Sequence, residues 1–319
     1  MMLTVRVGQR RIETPDVVAL DLVSTDQREL PPFSAGAHID VEIRPGLVRQ
    51  YSLCNNPAER NSYRIGVLNA ANSRGGSAAM HALVVGDLIR ISEPRNLFPL
   101  DSGNSFSVLL AGGIGITPIL CMAERLLQTG AGFNLHYFTK SRKRTPFLDH
   151  ILNSSMMTRT SFHFDDDMPE ARFDLDNALK ESPSGSHLYI CGPPGFIEWA
   201  ISSATRVGIP NKQVHREYFA PSDREVNAVP DSEFQIKIAS SGKVINVDRG
   251  KTVLDALRES GIEVPRSCEQ GICGTCLTRV LSGSPDHRDF ILTASEREAN
   301  NVFAPCCSRS LSAQLVIDL

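Results

Sequence analysis

The amino-acid sequence predicts a multi-domain protein in which an antiparallel β-barrel is followed by an α/β domain with a parallel sheet and by a small α+β domain. Three observations support this order. Short β-type runs fill the first hundred residues, and strand patterns alternate with helical patterns from Phe106 onward. A polar segment with two prolines, APSDREVNAVPDSE at residues 220–233, then precedes a hairpin, a helix and a final strand. A chain of 319 residues is long enough for two or three domains.

Residues 1–102 form the predicted barrel. Strand-like runs recur there at spacings of roughly 10 residues with little helical pattern between them, and they are LTVRV, VVALDLV, AHIDVEI, RQYSLCN, SYRIGVL and GDLIRISEP. Regularly spaced short strands are typical of antiparallel barrels and sandwiches. We therefore place the first domain boundary after residue 102, where the pattern changes.

Residues 103–222 form the predicted α/β domain. The strand SVLLAGG leads into the helical run PILCMAERLLQTG, the strand FNLHYFT follows, and SHLYICG leads into PPGFIEWAISSATRVG. Such alternation predicts a parallel sheet that is covered on both faces. Residues 223–233 are the predicted linker. Residues 234–319 form the third domain, with the hairpin FQIKIA and KVINV, the helix TVLDALRESG and the strand QLVIDL.

Charge and cysteine content restrict the possible partners and location. The net charge of -3 gives no broadly basic surface, so we expect no nucleic-acid or membrane partner but a small molecule or a protein. The N-terminus lacks the apolar run of a secretory signal, and no window approaches the length of a membrane helix, so we expect a cytoplasmic location. Eight cysteines then indicate metal binding or catalysis, because cytosolic thiols are kept reduced.

Five of the eight cysteines lie after residue 267, and three of these stand in CEQGICGTC. Cys268, Cys273 and Cys276 have the C-x4-C-x2-C spacing of plant-type [2Fe-2S] proteins, which need one more distant cysteine. Cys306 and Cys307 are the available candidates. Zinc sites more often combine two separated C-x2-C pairs, and this segment has one such pair, so the pattern favours iron and sulfur over zinc.

CEQGICGTC, with PCCSRS at residues 305–310, resembles the plant-type ferredoxin domain, whose fold is a β-grasp. In that family the last ligand stands just before a small apolar residue and a turn. The resemblance maps this ligand onto Cys306 and the small apolar position onto Cys307, and the implied ligands are Cys268, Cys273, Cys276 and Cys306. Gly271 and Gly274 permit positive φ and close backbone approach, so the loop can aim N–H groups at the cluster sulfurs.

Two segments of the predicted barrel suit an anionic, planar ligand. RQYSLCN places Arg49 and Tyr51 on one face of a strand, where they could clamp a phosphate and stack on a ring. A surface arginine beside a half-buried tyrosine would give the same pattern. SRGGSAAMHAL at residues 73–83 sets two glycines and a serine ahead of a helical run, which suits an anion, although a plain turn with a serine N-cap would look the same.

Together these two segments resemble the flavin domain of the ferredoxin-NADP reductase superfamily. The resemblance implies that Arg49 and Ser77 hold the flavin phosphate, that Tyr51 stacks on or flanks the flavin ring, and that Ser52 hydrogen-bonds near flavin N5. The resemblance also implies that Arg74, Gly75 and Gly76, at the start of the second segment, bind the cofactor.

The stretch LLAGGIGITPIL at residues 109–120 combines a strand, a glycine-rich turn and a helix start. As a G-x-G-x-x-G motif it is incomplete, because Pro118 replaces the third glycine and the acidic ribose-binding residue is absent. GGxGxTP instead resembles the nicotinamide-nucleotide domain of the same superfamily. In that family the cofactor passes close to the backbone here, and the implied contacts are Gly113, Gly115, Thr117 and Pro118.

Two further segments fit that nucleotide domain. CGPPGF places Cys191 at a strand end beside the nicotinamide, with Gly192 and Pro193 next to it, although Cys191 alone would be taken as a small buried apolar residue. REYF places Glu217 near the flavin edge, so the implied catalytic residues are Ser52, Cys191 and Glu217. KSRKR at residues 140–144 could bind cofactor phosphates, including the 2'-phosphate of NADPH, or could form a solvated basic turn.

The order of flavin barrel, nucleotide domain and ferredoxin domain resembles the phthalate dioxygenase reductase family. The resemblance implies FMN, a [2Fe-2S] cluster and NADH as cofactors, with NADPH as an alternative to NADH. It implies a reductase that passes electrons to a terminal Rieske-type oxygenase, and we expect a monomer. Two alternatives stay open: a stand-alone NAD(P)H:acceptor reductase that acts on flavin or small molecules, and a redox sensor without turnover.

Overall fold

The computed structural model describes residues 2–44, 47–70, 75–101, 103, 106–166, 173–219 and 231–319. The chain divides into two compact units, Met1–Phe219 and Ala220–Leu319. The first unit holds an antiparallel barrel and a parallel sheet, and the second holds a small mixed sheet, so the predicted fold class is confirmed. The predicted boundary after residue 102 falls inside the first unit and stays a prediction, and most of the predicted linker lies outside the described residues.

The barrel is built from strands in which buried and exposed side chains alternate. In the first strand Val5 and Val7 are buried, while Thr4 and Arg6 are exposed, which is the pattern of a strand with one face on a core. The elements are β1 (Met2–Thr14), β2 (Val17–Ser24), β3 (Ala37–Arg44), β4 (Leu47–Ser52), β5 (Ser62–Leu68), α1 (Gly76–His81), β6 (Leu88–Ser92) and β7 (Arg95–Asn96).

The sheet closes between its two outer strands. Its order is β4-β3-β6-β1-β2-β5, and β7 pairs with β3. A bridge between Leu53 and Ile65 joins the end of β4 to β5, and the N–H of Cys54 donates to the carbonyl of Arg64 at 2.9 Å. The strand that carries residues 49–52 therefore lies at the seam of the barrel.

The parallel sheet of the first unit has the order β10-β9-β8-β11-β12. Its elements are β8 (Phe106–Gly112), α2 (Ile116–Thr129), β9 (Gly132–Thr139), α3 (Leu148–Leu152), β10 (Thr160–Phe164), α4 (Leu175–Glu181), β11 (His187–Gly192), α5 (Pro194–Arg206) and β12 (Val214–Tyr218). The chain reverses its direction of winding between β8 and β11. In open α/β sheets the ligand crevice lies at such a reversal, at the carboxyl ends of the strands.

Helix α2 links this sheet to the barrel through a shared core. Pro118 lies in its first turn, where a missing N–H costs no hydrogen bond, and the helix ends at Gly130 with φ 71° in the left-handed region. The apolar cluster that receives α2 also includes Ala35 and Phe98 from the barrel. Barrel and sheet therefore pack as one unit.

The second unit is an α+β fold around a mixed sheet of order β14-β13-β19-β15-β17. Its elements are β13 (Phe234–Ile238), β14 (Val244–Val247), α6 (Val253–Glu259), β15 (Thr278–Ser282), β16 (Pro285–Asp286), α7 (Ala294–Ala299), β17 (Val302–Phe303), β18 (Arg309–Ser310) and β19 (Gln314–Ile317). The Thr252 hydroxyl caps α6 by accepting from the N–H of Asp255 at 3.1 Å. Within the described residues, no helix is long and apolar enough to cross a membrane.

Candidate active site and cluster site

Two segments that are distant in sequence lie side by side in the barrel. A Cβ atom on Gly76 would stand 3.0 Å from Cγ and 3.1 Å from Nε of Arg49, so the arginine side chain runs across the turn before α1. Gly75 has φ 91°, which glycine adopts without strain. The Ser77 hydroxyl accepts a backbone N–H at 3.2 Å. The arrangement fits a phosphate group; Arg74 lies outside the described residues.

Tyr51 and Ser52 follow on β4 and point to opposite faces of the strand. Burial raises the pKa of Tyr51 to about 12, so the ring carries a neutral phenol that can stack on a planar group. Ser52 is buried, and its hydroxyl donates to Oε2 of Glu217 at 3.2 Å. This hydrogen bond joins the seam of the barrel to the edge strand β12 of the parallel sheet.

Glu217 lies on β12 in register with Cys191 on β11. Burial raises the pKa of Glu217 to about 8, and the hydrogen bond from Ser52 opposes this shift only in part. The carboxyl group therefore keeps its proton at neutral pH. A protonated carboxyl group at the junction of barrel and sheet can donate a hydrogen bond or a proton to a bound group.

Cys191 ends β11 as a fully buried thiol. Burial, with the nearby Glu217, raises the pKa of the Cys191 thiol well above its usual range, so it is a neutral group and not a thiolate nucleophile. A Cβ atom on Gly115 would overlap the carbonyl group of Cys191. The glycine-rich turn therefore packs directly on this strand end.

The glycine-rich turn and the end of β11 meet at the predicted crevice. Gly113 has φ 54°, and the Thr117 hydroxyl donates to the carbonyl of Ile114 at 3.1 Å. A Cβ atom on Gly192 would stand 3.0 Å from the Cα of Gly112. The structure thus brings together the predicted nucleotide-binding residues Gly113, Gly115, Thr117, Pro118, Cys191, Gly192 and Pro193.

The basic turn after β9 contacts the barrel. Arg144 forms an ion pair with Asp16 at 3.2 Å, and the hydroxyl groups of Thr139 and Thr145 lie 2.7 Å apart across the turn. Arg144 thus joins the sheet to the barrel, a role that the sequence did not indicate. Both interpretations of the basic turn stay open for its other cations.

The four predicted ligand thiols of the second unit lie in two hydrogen-bonded pairs, Cys268 with Cys273 and Cys276 with Cys306. In the first pair the hydrogen bond, with burial, raises the pKa of Cys268, and the same bond lowers the pKa of Cys273 to about 5. Of the four thiols, only Cys273 is shifted toward the thiolate, which is the form that binds iron, since the pKa values of Cys268, Cys276 and Cys306 are raised. Two pairs of thiols suit a cluster of two irons.

The adjacent thiols of Cys306 and Cys307 have different surroundings. Cys306 is buried and interacts with the thiols of both Cys276 and Cys307. The sulfur of Cys307 lies 3.8 Å from the carbonyl of Ala304 and 2.5 Å from the place that a Cβ atom on Gly271 would take. Cys306 stays the predicted fourth ligand, and Cys307 packs against the loop at Gly271.

The loop that carries the first three thiols also surrounds them with donors. Gly271 and Gly274 have φ 72° and 68°, so the loop can curl without strain. The N–H of Gln270 donates to the sulfur of Cys268 at 3.3 Å, and the backbone N–H groups of Gly271, Ile272 and Thr275 lie near the ligand sulfurs. Donors of this kind stabilise iron-bound thiolates, so these residues fit a [2Fe-2S] cluster.

The sequence analysis missed Asp289, which supports the cluster loop. Its buried carboxylate accepts from the N–H groups of Ile291 at 3.1 Å and Leu292 at 2.8 Å. Beside them the N–H of Phe290 donates to the carbonyl of Gly271 at 2.9 Å. An aspartate two and three residues before these N–H groups is the signal of an Asx-type turn, and it could have identified the site.

Comparison with known proteins identifies the family of the chain. Residues 236–311 match the family described as the 2Fe-2S iron-sulfur cluster binding domain, which supports iron and sulfur over zinc. The chain is 46% identical over 319 residues to the vanillate O-demethylase oxidoreductase of Pseudomonas sp. strain HR199, and the match covers 100% of both chains.

Solved structures give the same result. The phthalate dioxygenase reductase structure, described as modular for electron transfer from pyridine nucleotides to [2Fe-2S], matches with 35% identity and a TM-score of 0.74 over 100% of this chain and 98% of that one. An intact type IV self-sufficient cytochrome P450 monooxygenase matches with 35% identity and a TM-score of 0.87, over 100% of this chain and 41% of that one. The chain belongs to the family of the vanillate O-demethylase oxidoreductases and phthalate dioxygenase reductases.

Proposed function

We propose that the chain is the reductase component of a two-component oxygenase system, which carries electrons from NAD(P)H through FMN and a [2Fe-2S] cluster to a terminal Rieske-type oxygenase. One observation carries this proposal. The glycine-rich crevice meets the barrel at the hydrogen bond between Ser52 and Glu217, and paired thiols follow in the second unit. The relatives support it, since one is an O-demethylase oxidoreductase and another transfers electrons from pyridine nucleotides to [2Fe-2S].

The barrel residues bind and orient the flavin. Arg49 and Ser77 hold its phosphate beside the Gly75 turn, and Tyr51 flanks its ring. Bound there, the flavin would supply the chemistry that connects a two-electron hydride donor with a one-electron acceptor. FMN is favoured over FAD by the order of the domains, which is also that of the phthalate dioxygenase reductase match.

Ser52, Cys191 and Glu217 act where the two cofactors meet. Glu217 holds a proton at neutral pH, and Ser52 donates to its carboxyl group. Cys191, as a neutral buried thiol, fills the end of β11 and keeps water from the nicotinamide. In this proposal the Ser52 hydroxyl passes a proton at the flavin edge, and its hydrogen bond to Glu217 supports that role.

The second unit delivers the electrons. Cys268, Cys273, Cys276 and Cys306 hold the cluster, and the loop N–H groups offset its charge. Plant-type clusters lie near about -400 mV and Rieske centres at roughly -150 to +300 mV, so transfer is downhill by at least about 250 mV. Because about 59 mV gives a tenfold bias for one electron, the direction of flow is strongly fixed.

Smaller parts of the proposal are the cofactor preference, the location and the oligomeric state. We favour NADH over NADPH because Arg144, one cation of the basic turn, is engaged with Asp16. A cytoplasmic location agrees with eight cysteines that form no disulfide, since a reducing compartment keeps thiols free, and we propose a monomer.

An absorbance spectrum of the purified protein with cofactor extraction tests the cofactors. We expect FMN in the extract, and both flavin and iron-sulfur absorbance should bleach on anaerobic addition of NADH. Mixing the protein with a Rieske oxygenase should then give product only when both proteins and NADH are present. Faster turnover with free flavin or small acceptors than with any oxygenase would favour the stand-alone reductase. If the protein reduces a haem oxygenase but no Rieske oxygenase, the proposed partner is wrong and a haem oxygenase takes its place.

A further inference from the structure

A single glycine, Gly66, lies where the barrel approaches the glycine-rich turn and the start of α2. Gly66 belongs to β5, and a Cβ atom on it would stand 2.8 Å from Cγ2 of Thr117 and 3.2 Å from Cε2 and Cζ of Phe147. Gly66 is in extended strand conformation, which any residue can adopt. The structure therefore uses the missing side chain of Gly66, and not its backbone freedom.

The second partner of Gly66 is held in an unfavourable conformation. Phe147 has φ 59°, in the left-handed region that bulky residues avoid because the side chain crowds the backbone there. Its ring is nevertheless buried, and its N–H donates to Oε2 of Glu13 on β1 at 3.0 Å. A residue held in this way by a group 134 positions away indicates a functional constraint.

A third contact ties the same turn to the nucleotide-binding glycines. The hydroxyl of Tyr137 lies 3.2 Å from the carbonyl oxygen of Gly113 and 3.2 Å from that of Pro146, and it can donate to either. Tyr137 is fully buried on β9. The turn that ends in Phe147 is therefore fixed to the barrel on one side and to the glycine-rich turn on the other.

We propose that Gly66, Phe147 and Glu13 are positioning residues. They fix the distance between the glycine-rich turn, which binds the nucleotide, and the barrel, which binds the flavin. The inference rests on the proposed function, in which a hydride leaves the dihydronicotinamide, which becomes NAD(P)+, and both of its electrons go to the flavin. Hydride transfer needs reacting atoms about 3–3.5 Å apart, so small shifts of one cofactor against the other change its rate.

Gly66→Ala is the sharpest test, because one methyl group acts as a wedge. The experiment uses the full-length, cofactor-loaded protein and measures the limiting rate of flavin reduction by NADH in anaerobic stopped flow. We expect this rate to fall roughly tenfold, since about 1 Å of misplacement can cost a hundredfold. The dissociation constant of NADH and the flavin and cluster spectra should change little.

Gly8→Ala is the matched control. A Cβ atom on Gly8 would stand 2.9 Å from Cγ1 of Val23, which is an overlap similar to that at Gly66. This overlap lies within the barrel sheet and away from the glycine-rich turn. We expect it to leave the limiting rate unchanged. Adding Thr117→Ser to Gly66→Ala removes the methyl group that the wedge meets and should restore part of the rate.

A second readout does not depend on activity. Hydrogen exchange at the Phe147 amide should be faster in Glu13→Ala, which removes the acceptor, and close to wild type in Glu13→Gln, which keeps one. A wild-type rate for Gly66→Ala, an equal loss in Gly8→Ala, or unchanged exchange in Glu13→Ala would overturn the inference while leaving the proposed function intact. A wild-type protein whose flavin NADH does not reduce would overturn both.

Discussion

The two units assemble their sites in opposite ways. In the second unit, three of the four predicted cluster thiols come from nine consecutive residues, 268–276, and the same loop holds the N–H of Gln270 against the sulfur of Cys268. In the first unit, the contacts join distant positions, as between Ser52 and Glu217 or between Glu13 and Phe147. A local site can be recognised in a sequence, whereas a site made by packing exists only in the fold.

The largest expected effect is loss of the cluster in the second unit without loss of the chemistry of the first unit. Cys306→Ser should abolish the iron-sulfur absorbance and electron delivery to a protein acceptor, because a [2Fe-2S] cluster needs four thiolates. Flavin reduction by NADH should persist, since it occurs in the first unit. Cys307→Ser is the matched control and should keep the cluster.

Loss of the cluster in Cys307→Ser and its retention in Cys306→Ser would reverse the assignment of the fourth ligand. Loss of flavin reduction in a folded Cys306→Ser protein would contradict the independence of the two sites. Iron content and the visible spectrum check the first point, and anaerobic stopped flow checks the second.

A smaller effect tests how tightly the cluster loop is packed. Gly271→Ala should destabilise the second unit by about 1–2 kcal/mol from backbone strain alone, and further from overlap with the sulfur of Cys307 at 2.5 Å. Gly250 has the same φ of 72° with nothing near a Cβ atom, so Gly250→Ala isolates the strain. Chemical denaturation of both variants gives the difference, and equal losses would argue against the contact.

The pH dependence of stability tests the packed site of the first unit. The pKa of Glu217 rises from its ordinary 4.5 to about 8 on folding, because burial disfavours the charged form. The stability contributed by the protonated group is therefore full below 4.5 and is lost as pH rises through 8. Glu217→Gln stays neutral, so thermal unfolding should show the wild type losing stability relative to the variant over this range. If the stability of the wild type and that of Glu217→Gln changed with pH in the same way, the raised pKa of Glu217 would be contradicted.

The smallest expected effect concerns Ser52. Its hydrogen bond lowers the pKa of Glu217 against the larger effect of burial, so Ser52→Ala should raise that pKa further. The carboxyl band of Glu217 in difference infrared spectra, followed against pH, measures the shift, which we expect to be within about one unit. Ser52→Thr keeps the hydroxyl and should titrate as the wild type does; a lower pKa in Ser52→Ala would be inconsistent with the hydrogen bond.

The sequence predicted what is encoded in short segments. Short strands at regular spacing predicted the barrel, and strands that alternate with helices predicted the parallel sheet. The structure confirms both. The spacing of Cys268, Cys273 and Cys276 indicated the cluster, because a loop that wraps a metal centre keeps its ligands close in sequence. Spacing alone could not separate the adjacent Cys306 and Cys307, and the choice of Cys306 stays a prediction.

Contacts made by packing left little signal in the sequence. Gly66 is one glycine in a strand, and nothing nearby indicates that Thr117 and Phe147 lie against it. The partnership of Ser52 with Glu217 spans 165 positions and could be suggested only by resemblance to a family. Asp289 is an exception, since its turn is local and its signal was present but not used.

The order of strands in the second unit has a consequence for biosynthesis. β19, the last strand in the sequence, lies between β13 and β15, so the sheet has no centre until residues 314–317 have left the ribosome. Its pairing with β13 also closes a long loop, which is slow to form. All four predicted cluster cysteines are therefore synthesised before the strand that completes the sheet around them, so we expect a stable cluster only after residues 314–317 have been made.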